Sequence, residues 1–153
     1  MADAMLGKLA RWLRLLGFDS AYEPDIADGD LVRRALGEQR IILTCDRALP
    51  EEWWVPAILV LEPVRPLEQL RRTVEAFDLA RRIRLLTRCS RCNTLLVSAT
   101  RDEARGHVPP RVLDAAEHLQ RCPGCDRFYW SGSHVERMRR TVQRVLAEAG
   151  GRG

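Results

Sequence analysis

Hydrophobic positions recur every three or four residues at the start of the chain. Leu6, Leu9, Ala10, Leu13 and Leu16 form one stripe, which predicts a helix over residues 6–16 with Gly17 placed to end it. Residues 18–22 read as a short strand. Asp28 or Asp30 can cap a second helix over residues 31–36, with Gly37 as its stop. The runs RIILT (residues 40–44) and AILVL (residues 57–61, between Pro56 and Pro63) are short, apolar and rich in β-branched side chains, as buried parallel strands are. Pro66 opens a helix through about Phe77, which continues or restarts over residues 79–86. Strands alternating with helices predict an α/β layer with a mostly parallel sheet flanked by helices.

Beyond residue 86 the pattern changes. Residues 94–98 suggest a hairpin strand, residues 112–119 a short helix after Pro109-Pro110, and residues 128–130 another strand. A last helix is expected over residues 134–146, with Val135, Met138, Val142 and Val145 on one face. The expected division is a first domain over residues 1–86, a small module with its C-terminal helix over 87–148, and a disordered tail over 149–153.

The second segment holds four cysteines in two Cys-x-x-Cys pairs, Cys89/Cys92 and Cys122/Cys125. Each pair can put two thiolates on one side of a tight turn, and two such knuckles complete a tetrahedral sulfur cage for zinc. Four sulfurs leave no open coordination position, so this zinc is structural. The 29 residues between the pairs exceed the spacing of a short ribbon, which implies an inserted segment. Two disulfides are the competing reading, although nothing else in the chain points to an oxidising compartment. Cys45, beside an apolar run, reads as a reduced and half-buried residue.

Charge divides the chain along the same line. Residues 1–80 carry 10 basic and 14 acidic side chains, net −4, whereas residues 81–153 carry 15 and 7, net +8. That asymmetry suggests a polyanion-binding surface on one module and an acidic site on the other. With 46% hydrophobic and 30% charged residues the composition is that of a soluble globular protein. There is no charged-then-apolar leader and no apolar run of membrane-spanning length, so the expectation is a cytoplasmic protein without a membrane partner.

The acidic candidates are Asp3, Asp28 and Asp46. Asp46 follows RIILT directly, at the carboxyl end of a strand, where open α/β sheets place their ligands. Asp3 would lie at the matching end of a first strand, and Asp28 at a helix start on the third edge of that crevice. Gathered carboxylates repel one another unless a hard cation neutralises them, and Mg²⁺ or Mn²⁺ takes such oxygen ligands. The plain alternatives are a cap for Asp28 and Asp30, a turn residue for Asp46 and a solvated Asp3.

Four stretches together resemble the Mut-seven-C RNase family: ADAMLGKLARWLRLLGFD (residues 2–19), Asp28-x-Asp30-Leu31 followed by RIILTCDRAL (residues 40–49), CSRCN (residues 89–93) and CPGCDRFYWSGSHVERM (residues 122–138). The resemblance covers nearly the whole chain in order. It implies a PIN-like nuclease domain, with a parallel sheet flanked by helices, followed by a C-terminal zinc ribbon. It also implies RNA cleavage at clustered acids that bind divalent metal. By position it assigns Asp3, Asp28 and Asp46 to those acids, with Asp30 in reserve, and Cys89, Cys92, Cys122 and Cys125 to the ribbon ligands. One departure stands out. The family implies an apolar central strand before the first acid, and only Met1 and Ala2 precede Asp3 here. So short a strand is expected to anchor Asp3 poorly, leaving either a natural start upstream of Met1, which is the preferred expectation, or a weakened site.

Lys8, Arg11 and Arg14 on the first helix, and Arg47 beside Asp46, are candidates to contact a phosphate backbone. Arg91 and Arg127 next to the cysteines, with Trp130 and His134, could grip a single strand through phosphate contacts and stacking. Tyr129 and Trp130 can equally pack the small ribbon core, and Trp12, Trp53 and Trp54 read as packing residues. The leading expectation is a metal-dependent endoribonuclease acting on RNA, preferentially single-stranded, although the residues alone would tolerate single-stranded DNA. The alternatives are a non-catalytic RNA- or ribosome-binding module, a partner-docking ribbon in a larger assembly, and a toxin-like nuclease.

Overall fold

The computed structural model describes residues 1–150, apart from the side chains of His134 and residues 148–150. The chain is α/β, followed by a small four-cysteine module. Its first helix, α1 (Gly7–Leu15), follows a single 3-10 turn at Ala4–Leu6. Then come α2 (Asp28–Gly37), β1 (Ile42–Thr44), α3 (Leu49–Glu52), β2 (Ile58–Val60) and α4 (Pro66–Ala76). β1 and β2 pair in parallel, Leu43 opposite Leu59. On the other side of β1, Ala2 bridges to both Leu43 and Tyr22, also in parallel. The order across the layer is therefore Tyr22, Ala2, β1, β2.

Alternation along β1 builds a core on each face of this layer, because successive strand residues point to opposite sides. Leu43 packs with the α1 stripe Leu6, Leu9, Ala10, Leu13 and Leu16 and with Leu70 and Val74 of α4. Ile42 packs with Met1, Leu31, Val32, Ala35 of α2 and Leu49 of α3.

The first strand is as short as expected, yet it is well held. Its backbone bonds run from Ala2 N to the Ala21 carbonyl (2.8 Å), from Asp3 N to Leu43 (2.9 Å) and from Leu43 N to Met1 (2.9 Å). The Met1 nitrogen donates to the Ile41 carbonyl. The expectation of a poorly anchored Asp3 is corrected, since both neighbouring segments supply the ladder.

Other boundaries also moved. Residues 18–22 contribute one bridge and no strand. Residues 79–86 form one 3-10 turn, Ala80–Arg82, instead of a second helix. Asp78 (φ 46°) and Leu86 (φ 56°) take left-handed backbone that interrupts helical winding at both ends.

In the second segment β3 (Val97–Ala99), β4 (Leu119–Arg121) and β5 (Phe128–Trp130) form an antiparallel sheet. Two short helices, α5 (Arg101–Ala104) and α6 (Pro110–Ala115), occupy the insert between the cysteine pairs. The expected helix over 112–119 is shorter because Leu119 already pairs with Ala99 and Trp130. α7 (Ser133–Gly150) runs past the expected end at Leu146. It takes in residues 149 and 150 of the expected tail; residues 151–153 lie outside the described residues. α7 packs on α4, and its Val142 enters the same core as Leu9 and Leu70.

Two polar clamps join the segments. Arg14, buried on α1, donates from Nε to the Ser20 carbonyl (2.8 Å) and from Nη1 to the Arg91 carbonyl (2.6 Å) in the first knuckle. Asn93, held in left-handed backbone (φ 71°), donates from Nδ2 to Asp19 (2.7 Å) and accepts from the Ser20 amide (3.1 Å). At the end of α1, Gly17 has φ 93°, and a Cβ there would meet the Arg84 carbonyl oxygen at 2.3 Å.

Gly17→Ala is therefore expected to destabilise by more than about 1 kcal/mol, read as a lower urea midpoint with an unchanged slope. The second clamp predicts an acid dependence. Partial burial pushes Asp19 up, but hydrogen bonds from Arg40 and Asn93 outweigh it and hold the carboxyl below its ordinary 3.8. A carboxyl lowered by folding stabilises the fold fully above its unfolded value, and that contribution is lost as pH falls through the lower folded value. Unfolding midpoints of Asp19→Asn should accordingly fall less than those of the parent below about pH 4.

Candidate functional sites

The carboxyl ends of the parallel segments bring two of the expected acids together through one hydroxyl. Thr44, fully buried as the last residue of β1, donates from Oγ1 to Asp3 Oδ2 (2.5 Å). The same oxygen accepts from the Asp46 amide (2.9 Å). Asp3 also caps the first 3-10 turn, its Oδ1 accepting from the Ala4 amide. It is only 6% exposed. Asp46 is half-buried, and its Oδ1 accepts from the Ala48 amide (2.8 Å), which turns the chain into α3. Thr44 was not singled out from the sequence, although its place at the end of RIILT, two residues before an acid, was the available signal.

Asp28 is the first residue of α2 and exposed, and Ala27, not Asp28, holds the capping position. Asp30 is exposed and paired with Arg33. The Trp53 ring lies 3.3 Å from where a Cβ of Gly29 would be, so a tryptophan covers the first turn of α2 between the two acids. Trp53, 40% exposed, still packs on α2, whereas Trp54 is 80% exposed, which corrects its reading as a packing residue; Trp12 packs on the first core. Just beyond β2, Glu62 is a further acid that sequence reasoning passed over. It pairs with Arg47 at 3.0 Å, and its carbonyl accepts from Gln69. Cys45 lies between these groups as a free thiol. Burial pushes its thiol up, and the Asp3 and Glu62 carboxylates add to that. The donors that remain for a cation are hard carboxylate oxygens, a set suited to Mg²⁺ or Mn²⁺. Among the described residues, the four cysteines are the group of three or more ligand side chains gathered closely enough to hold a metal ion, and the three aspartates do not form a second such group.

Those four cysteines form the second site. All are free, and the Sγ atoms of Cys89, Cys92, Cys122 and Cys125 lie within 4.8 Å of one another. The closest pairs, Cys92–Cys122 at 3.3 Å and Cys89–Cys125 at 3.5 Å, cross between the knuckles. A disulfide needs sulfurs about 2.05 Å apart, so the disulfide reading is set aside. Tetrahedral zinc fits this cage, and zinc is the ion the donor set suits.

Around it sits a second layer. The Tyr129 hydroxyl lies 3.1 Å from Cys89 Sγ and accepts from the Ser90 amide (3.2 Å). Burial raises Cys92, but its hydrogen bonds with the Thr94 hydroxyl and amide outweigh it and bring the thiol down to about 6. Burial and the neighbouring sulfurs push Cys125 up to about 12. Holding all four sulfurs as thiolates at this spacing would take a cation among them.

The basic candidates separate on the structure. Arg14 is corrected from a phosphate contact to a buried strut, its guanidinium held by the Ser20, Ser90 and Arg91 carbonyls. Lys8, Arg11, Arg91 and Arg127 are exposed. Arg47 is exposed but engaged by Glu62. Trp130 is half-buried against Ala104, Val108 and Leu119, the small core of the cysteine module, which favours packing over stacking. The His134 side chain lies outside the described residues.

Cys122→Ser is expected to abolish stoichiometric zinc by elemental analysis and to lower the thermal midpoint, since structural zinc contributes folding free energy directly. Chelation should lower the midpoint of the parent and leave that variant unmoved.

No curated protein and no solved structure shows significant similarity to the chain. A family model, the Mut7-C RNAse domain, matches residues 1–142. That span includes Asp3, Thr44 and Asp46 at the strand ends, both cysteine knuckles and most of α7. The chain belongs to the Mut7-C RNAse domain family.

Proposed function

We propose that the protein is a cytoplasmic, metal-dependent endoribonuclease that cleaves single-stranded RNA at the acidic strand ends, with zinc holding the cysteine module. The observation that carries this reading is the Thr44 hydroxyl. It joins Asp3 to the start of the Asp46 turn at the carboxyl ends of adjacent parallel segments, in a chain of an RNase family. Open parallel sheets bind ligands at that edge. The exposed Asp28 at the start of α2 supplies a third carboxylate.

Mg²⁺ keeps several waters in its octahedral shell, so acids that do not touch one another can share it through those waters. When bound, the ion would activate a water and neutralise charge on the phosphate during displacement. The chain's part is to hold the carboxylates in place. Asp3 is fixed by the Thr44 hydroxyl and the Ala4 amide, and Asp46 by the Ala48 amide.

A second reading is a non-catalytic RNA- or ribosome-binding module. That Asp3, Asp28 and Asp46 do not form a metal-sized group among the described residues favours it.

Asp46→Asn should fold like the parent by thermal melting and lose Mg²⁺- or Mn²⁺-dependent cleavage of labelled RNA by about 100-fold or more, roughly 2.7 kcal/mol of barrier. Salt-sensitive RNA binding with no cleavage by the parent protein at any Mg²⁺ or Mn²⁺ concentration would instead select the second reading.

A further inference from the structure

The turn at Ala80–Arg82, the residues after it and α7 enclose an open groove of about 510 Å³ that none of the preceding chemistry uses. Its apolar walls are Ile83, Leu85, Val142 and Leu146, and Arg84 and Arg139 line it as well. Arg81 and Arg82 on the turn and Arg140 and Arg144 on α7 are exposed nearby in the chain. Arg84 donates only to the neighbouring Ile83 carbonyl among the described contacts. Arg139 has one loose, exposed partner, Glu136 at 3.7 Å, and ion pairs of that kind are worth little.

We propose that this groove is a nucleotide subsite for the RNA strand, taking one base against its apolar wall and the adjoining phosphates on Arg84 and Arg139. Three observations select that occupant. The volume falls in the range of roughly 300–1,000 Å³ seen for small-ligand sites, the size class of one nucleotide. Guanidinium forks match phosphate oxygens two at a time. The aliphatic wall of Ile83, Leu85, Val142 and Leu146 beside them can pack against a base face, which an inorganic anion or a run of acidic side chains does not offer.

The groove adds to what the knuckles offer the basic segment, where Arg91 and Arg127 are exposed but Arg88 donates to the Asn93 carbonyl and Arg121 pairs with Asp126. α7 and the 80–84 turn instead concentrate arginine where α7 packs back onto the nuclease core. The subsite rests on the reading of the chain as an RNA-directed nuclease, and it adds where the strand is held away from the cut.

The test uses full-length, zinc-loaded protein in buffer free of magnesium and manganese, with a fluorescein-labelled single-stranded uridine oligonucleotide read by anisotropy. The double variant R84A/R139A should weaken binding about 10-fold or more and flatten the log–log salt dependence by about 1.4, or 0.7 per phosphate contact on a single strand. The control R101A/R111A removes the same charge from exposed positions on the cysteine module and should leave both near the parent. Equal loss in the two double variants would mean general attraction to positive surface and would overturn the subsite.

A second measurement needs no variant. RNA should protect Arg84 and Arg139 of the parent from phenylglyoxal, read by mass spectrometry, while Arg101 and Arg111 stay reactive. No protection alongside measurable RNA binding rejects the subsite alone. Absence of any RNA binding by the parent rejects it together with the nuclease reading. Displacement of the RNA by an acidic peptide at equal concentration, with the same arginines protected, would overturn the assignment in favour of a protein partner.

Discussion

A buried guanidinium holds the two halves of this molecule in one arrangement. Taking a cation out of water costs several kcal/mol after relaxation, and Arg14 can stay inside only because acceptors converge on it. Ser20 supplies one carbonyl from the loop after α1, and Ser90 and Arg91 supply two from the first knuckle. Burial lowers the hold of Arg14 on its proton, and the nearby Cys89 and Cys92 sulfurs raise it again. A zinc ion held by four thiolates keeps a net negative charge, so the metal site is itself part of the environment that suits Arg14. Metal occupancy and the seating of α1 are consequently one problem. A knuckle loosened by loss of the ion would put the Ser90 and Arg91 carbonyls at risk and leave the Ser20 carbonyl as the acceptor that α1's own loop supplies.

The acidic edge depends on the same helix from its other end. α1 begins one turn after Asp3, and the stripe from Leu6 to Leu16 pins that turn against Leu43. A first strand of two residues would be a weak element by itself. It suffices because β1 and the segment around Tyr22 lie on both sides and satisfy its amides and carbonyls. Thr44 then converts strand pairing into site geometry. Its hydroxyl meets the Asp3 carboxylate and the Asp46 amide at once, so a shift of β1 by one residue would carry the Thr44–Asp46 turn away from Asp3 and break the bond between them.

What could be read from the sequence was whatever local spacing determines. The apolar stripe of α1, the RIILT and AILVL strands, the strand over residues 128–130 and the two knuckles all have short-range signatures. α5 had one as well, in Thr100 and Glu103, whose reciprocal capping box the structure contains, but four residues carry too little periodicity to stand out. The fate of Arg14 was not legible. It sits beside Ala10 and Leu13 on the edge of the apolar stripe, where a long basic side chain ordinarily reaches solvent. Only the knuckle, some 75 residues later in the chain, puts carbonyls over it. The Asp3–Thr44–Asp46 link likewise depends on which strands become neighbours, and periodicity does not encode that.

The last helix bears on how a basic face and an acidic strand edge can belong to one body. Read from charge alone, the basic segment could be a separate appendage, free to hold a strand anywhere. α7 argues against that, because Val142 belongs to the core that α1 and α4 build under the acidic sheet. The arginines on its exposed face are therefore fixed relative to Asp3 and Asp46 by packed side chains, with no flexible linker intervening. A strand bound along α7 would meet the carboxylate edge at a set distance, and a rigid offset of that kind favours cleavage at a fixed number of nucleotides from whatever is held. Opposite charges on one rigid body also divide the work. On the proposed function, the arginines would attract the polyanion, and acids that would repel it would become acceptable neighbours once a divalent cation offset their charge.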